Sequence, residues 1–152
     1  MTGPRIDQAL AYFVETANKE GLSEGGPLLT VTTDGLVVTG QLIGPAAYFE
    51  LLASLAEAAN IRFPHAAERF AAWGKQAHQA MQTRLRLRDE AIARLPEHEP
   101  LSPEQLEEFA PDYIHLRDVS VLVGGQATQL PVWRGRLSEL TGWTVGAPQK
   151  LP

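Results

Sequence analysis

The chain has no cysteine, which excludes disulfide stapling, zinc–thiolate sites and thiol catalysis together. No run of residues approaches the roughly 18 consecutive apolar positions that a membrane-crossing helix needs. The first residues, MTGPRIDQALAYF, lack the basic segment and following apolar stretch of a secretory signal. Both absences predict a cytoplasmic protein with no membrane contact. Gly-x-Ser-x-Gly, Walker A and Gly-x-Gly-x-x-Gly sequences are missing too, which removes the commonest nucleophile and phosphate-binding loops.

Metal chemistry has little to work with. Of the four histidines, His65, His78, His98 and His115, none forms a His-x-x-x-His pair. His65 and His78 fall within one helical pattern and stand about 20 Å apart at a rise of ~1.5 Å per residue, too far to share an ion. His115 stands among strand-forming neighbours and reads as a rim histidine. Glu97, Glu99, Glu104, Glu107 and Glu108 belong to a proline-rich linker, which offers none of the burial that tunes a catalytic carboxylate. These absences predict no enzyme: no catalytic residue, cofactor, metal ion or small-molecule substrate is assigned.

Net positive charge is also lacking. The formal net charge of −5 argues against a general nucleic-acid binder, which needs a positive surface to neutralise phosphates. The basic residues are concentrated, however: Arg62, Arg69, Lys75, Arg84, Arg86, Arg88 and Arg94 stand against Glu68, Asp89 and Glu90 alone between positions 62 and 95. Such asymmetry favours contact with another protein or another copy of this one.

What is present describes a folded protein. A hydrophobic fraction of 44% over 152 residues suits one globular domain spanning 1–152. Ile6, Leu10, Phe13, Val14 and Ala17 recur at helical spacing, with Gly21 as a stop. LLTVTTDGLVVTGQLIG then gives two strands joined at Asp34-Gly35, with Leu29 and Val31 on one face. Gly44-Pro45 restarts a helix whose stripe is Tyr48, Leu51, Leu52, Leu55 and Ala59. After Pro64 one long helix runs from His65 to Leu95, loosened at Gly74, with Ala67, Phe70, Ala77, Met81, Leu85, Ile92 and Leu95 as a narrow apolar stripe. Ser102 and Gln105 have capping-box spacing in the linker. Three further strands follow: DYIHLRDVSVLVG, QLPVWRGRLSEL and GWTVG.

The order predicts an α+β fold: a small, strongly bent five-stranded barrel or an open sheet, with an N-terminal helix and a helical insertion at 45–110 between strands 2 and 3. Alternation in the fourth strand sends Trp133, Gly135 and Leu137 to one face and Arg134, Arg136 and Ser138 to the other. On the long helix Arg84 and Arg88 share one face, and Arg86 points the opposite way.

Two resemblances follow from these residues. Gly35-x-x-Val38-x-Gly40-x-Leu42 and Trp133-Arg134-Gly135 resemble the two signatures of Sm-like barrels, which implies an Sm/SH3-like strand arrangement and an RNA-binding module as the alternative function. That family's RNA-contacting aspartate and asparagine have no counterpart, since Ala46 and Glu50 stand near those places. A broader resemblance covers YFVETANKEGL, LLTVTTDGLVVTGQLIGPAAYFELL, YIHLRDVSVLVGG and LPVWRGRLSELTGWTVG in this order. Together they are similar to the gas vesicle accessory protein GvpU family, the match fading between Ala56 and Asp112. This resemblance implies a non-enzymatic, cytoplasmic, gas vesicle-associated protein acting through contacts with gas vesicle proteins and through self-association. The residues expected to make partner contacts are Arg84, Arg86, Arg88, Arg134 and Arg136, with salt-sensitive association as the consequence.

Overall fold

A computed structural model describes residues 6–20, 26–59 and 65–148. The helix stop expected at Gly21 and the break at Pro64 lie outside the described residues.

Helix α1 spans Gln8–Glu20. The Asp7 carboxylate accepts a hydrogen bond from the Leu10 amide at 3.0 Å, satisfying one of the amides that a helix start leaves free. That bond is the main reason the Asp7 carboxyl sits below its ordinary pKa. Strands β1 (Leu28–Thr33) and β2 (Leu36–Ile43) follow. Asp34 and Gly35 join them with φ of 46° and 78°, the two positive values that a type I′ hairpin turn demands.

Helices α2 (Pro45–Ala58), α3 (Ala66–Ala93) and α4 (Pro103–Glu108) come next, then β3 (Tyr113–Val123) and β4 (Gln126–Arg136). A single 3-10 turn, Leu137–Glu139, leads to β5 (Gly142–Val145). The expected fourth strand thus ends at Arg136, and the turn carries Leu137 into the core. The expected capping box is present: the Ser102 hydroxyl accepts from the Gln105 amide at 3.2 Å, and the Ser102 amide donates to the Gln105 side chain at 3.0 Å.

The strands form one antiparallel sheet in the order β4-β3-β2-β1-β5. Its ladder ends at β4 and β5, so the sheet is not closed into a barrel. The β2–β3 register shifts between Thr39 and Gln41. Gly40 sits at that shift, and a Cβ there would lie 3.0 Å from the Arg117 carbonyl and 3.1 Å from the Leu116 Cβ. Only glycine admits so close an approach.

One face of the sheet carries Leu29, Val31, Val38, Leu42, Ile114, Leu116 and Val119, which enclose Leu10, Val14 and Ala17 of α1. Each aliphatic side chain fully buried there contributes about 1.5–3 kcal/mol of transfer free energy. Trp133 and Trp143 pack at the border of this core, and Phe13 meets Trp143 edge to face at 5.6 Å between ring centroids.

Helices α2 and α3 pair as an antiparallel hairpin. Here the structure corrects two sequence expectations. The helix runs through Gly74 without interruption, and Gly74 is buried because α2 presses on it: a Cβ there would stand 3.0 Å from the Phe49 Cβ. The side of α2 that is buried holds Pro45, Ala47, Phe49 and Ala56, while Leu55 and Ala59 are exposed. A helix lying between a sheet and a second helix buries two sides, and a single periodic stripe describes only one.

Candidate functional site

The sheet face opposite the core carries a cluster of aromatic and cationic side chains near the start of β3 and the end of β4. The register places His115 opposite Arg134 and Tyr113 opposite Arg136. Period-two alternation puts all four on the same face. In the other direction His115 pairs with Ile43, the last residue of β2, and α2 begins two residues later. Its first turns lay Tyr48 and Phe49 over the imidazole, with ring centroids 4.9 and 6.4 Å away.

Arg134 is held from three sides. Its guanidinium carbon stands 3.6 Å from the centre of the Tyr113 ring and 5.5 Å from that of Phe49, within the range of cation–π attraction. Its Nε donates to His115 Nε2 at 3.2 Å, so the imidazole carries its proton on Nδ1. Burial of the ring, assisted by the Arg134 charge, lowers the His115 pKa to about 3. The histidine expected at a rim is a buried, neutral acceptor that orients an arginine. Burial likewise raises the Tyr48 hydroxyl, and the Arg134 charge pulls it back.

The Arg136 guanidinium carbon stands 5.9 Å from the centre of the same Tyr113 ring. Neither Arg134 nor Arg136 has a carboxylate within ion-pair distance among the described residues. Both line a recess of about 320 Å3 with Tyr113, Thr33, Asp34 and Glu139 at its walls. Gly135 separates them on the opposite face, where the Trp133 ring folds back over the glycine Cα. The alternation expected from the sequence is therefore observed.

The helix arginines are dispersed. Arg88 forms an ion pair with Glu15 of α1, the two side chains being 24% and 15% exposed. Arg84 is half-buried beside it, near Glu15 and Asp112, and burial lowers its pKa. Burial also raises the Glu15 carboxyl, outweighing the opposing charges of Arg88 and Arg84. Arg86 faces the other way, exposed, 4.0 Å from Glu90. The structure thus brings Arg134 and Arg136 together, sets Arg84 and Arg88 against α1, and leaves Arg86 apart. Sequence reasoning missed Tyr113, Phe49 and Glu15. Tyr113 had one signal, the strand position two before His115.

Residues 7–148 match the family described as gas vesicle protein GvpU-like. The chain belongs to the GvpU-like family. No curated protein and no solved structure matches it. The GvpU-like match runs through α3 and α4, which lie in the stretch from Ala56 to Asp112 where the sequence resemblance faded, so these helices lie inside the family's extent. For a GvpU-like chain, association with gas vesicles follows from the family itself. No helix among the described residues is long and apolar enough to cross a membrane, and no group of three His, Asp or Glu side chains among them could hold a metal ion.

Proposed function

We propose that this GvpU-like chain is a non-enzymatic, cytoplasmic accessory protein that binds gas vesicle proteins and associates with itself during gas vesicle assembly, clustering or arrangement. The observation that carries the reading is the family match over residues 7–148. The site that supports a contact role is the Arg134–Arg136 pair: two cations on one strand, one clamped by Tyr113 and His115, neither within ion-pair distance of a carboxylate among the described residues. A guanidinium held in place loses little freedom on binding and prefers a carboxylate in two-pronged geometry. Exposed Arg86 is the remaining contact candidate. Arg84 and Arg88 act through the position they give α3. The chain is taken as one domain with a helical insertion at 45–110.

An RNA-binding role for Arg134 has less support, because its flat face is covered by Tyr113 and the tyrosine is no longer a free platform for a base. A pull-down of gas vesicle proteins by the tagged chain tests the reading, alongside a low-salt fluorescence titration with single-stranded RNA. Capture of gas vesicle proteins with a flat RNA titration is expected. RNA binding without such capture would reverse the assignment.

A further inference from the structure

We infer that the outer edge of β4 is a strand-pairing site for a second copy of this chain, joining two sheets antiparallel, edge to edge. The inference deepens the self-association reading and rests on it. β4 ends the strand order and pairs with β3 alone. Residues Gln126 to Pro131 are all exposed, and no other strand among the described residues pairs with this edge. An edge strand presents a row of backbone donors and acceptors, hydrated when free, that another extended segment can pair with along its length.

Proteins blunt such edges with short strands, charges or bulges. β4 is 11 residues long, and between Asp118 and Arg134 the hairpin carries no charge at all. Apolar side chains stay in solvent along it: Leu122, Val123 and Leu130 are 37%, 51% and 37% exposed. Pro131, which lacks an amide donor, is the single interruption. The opposite edge, β5, has only four residues and offers a much shorter ladder.

Charge identifies the occupant. Two copies, each at −5, repel on approach, and the uncharged hairpin is where they can meet without opposing like charges. An antiparallel strand is its own complement about a two-fold axis. With that axis anywhere from Thr128 to Pro131, Arg134 and Arg136 fall opposite uncharged positions or beyond the partner strand. An acidic peptide would instead be drawn to the Arg134–Arg136 end.

The test is sedimentation velocity on the full chain, wild type against Thr128→Lys, with Gln76→Ala, at an exposed position of α3, as the variant on a different surface and circular dichroism as the fold control. Thr128→Lys sets two lysines near the two-fold axis, and at least a tenfold weaker association is expected, with Gln76→Ala close to wild type. Amide hydrogen exchange should show residues 126–130 gaining protection in the associated wild type. A second, milder variant, Leu130→Ser, covers the case in which Thr128→Lys disturbs the fold. A wild type that stays monomeric at every concentration would overturn both this inference and the self-association reading. Association that survives Thr128→Lys and Leu130→Ser, gives no β4 protection, or is lost in Gln76→Ala alone would overturn the edge and leave self-association standing.

Discussion

Arg134 owes its position to a histidine that stays neutral. In the folded chain His115 resists protonation down to about 3, whereas an unfolded imidazole takes up a proton near 6.5. Above the upper value neither state is charged, and His115 has no effect on the pH dependence. Below it the unfolded chain binds a proton that the folded one refuses, so stability is lost progressively as pH falls from about 6.5 toward about 3. Urea denaturation at pH 7 and pH 4.5 should show a smaller loss for His115→Phe than for wild type, and equal losses would contradict the neutral-acceptor role. Gly135 is as restrictive for another reason. A methyl group there would enter the Trp133 ring, so Gly135→Ala should lower stability by about 1–3 kcal/mol, the usual range for overpacking. An unchanged melting temperature would count against the ring's placement. Alternation alone separated the arginines from Trp133 and Gly135, because period two is a local property. Tyr113 and Phe49 were not legible as Arg134's neighbours. Their contact depends on the β3–β4 register and on where α2 lands, both of which are settled by long-range packing.

At the scale of elements, α3 is anchored at both halves by different means. Its first half packs on α2 through Gly74 and Phe49, and its second half meets α1 through Arg88 and Glu15. The pair is partly buried, and burial raises the Glu15 pKa despite its cationic neighbours. That sign means the ionised carboxylate costs stability: the contribution of Glu15 is fully present below its unfolded value of 4.5 and is lost as pH rises through the higher folded value. Removing one partner alone strands the other. Glu15→Ala or Arg88→Ala should each cost about 1–3 kcal/mol, the penalty for an unsatisfied polar group, while Glu15→Leu with Arg88→Met should cost less than the sum. Strict additivity in guanidinium unfolding would show that the pair is not coupled. Helical spacing correctly placed Arg84 and Arg88 on one face and Arg86 on the other. It was silent on Glu15, 73 residues away, because no periodicity links elements so distant. Gly74 misled for a related reason: propensity describes an isolated helix, and here a close helix–helix approach decides the residue.

For the whole molecule, the α+β order and the five strands were readable from turns and alternation, down to the Asp34-Gly35 hairpin. Closure was not, since an open sheet and a barrel have the same strands and differ only in whether the two edges meet. The open ends matter for function: one edge, β4, is long and exposed from Gln126 to Pro131, and beside its C-terminal end lies the Arg134–Arg136 pair, which has no carboxylate within ion-pair distance among the described residues. Salt separates their contributions. Edge pairing between copies of net charge −5 should hold or tighten as salt screens their repulsion, whereas contacts carried by arginines should weaken. Gas vesicle binding is the central property to measure, and the most direct measurement uses the buoyancy of the vesicles. Purified gas vesicles are mixed with the chain and floated by centrifugation, and the bound fraction in the floating layer is compared for wild type and the Arg134→Ala/Arg136→Ala double variant. The wild type should float with the vesicles and the double variant should remain in the subnatant at the same concentration, folded by circular dichroism. Equal flotation of both would remove the arginine pair from the contact, and a wild type that never leaves the subnatant would contradict the account itself.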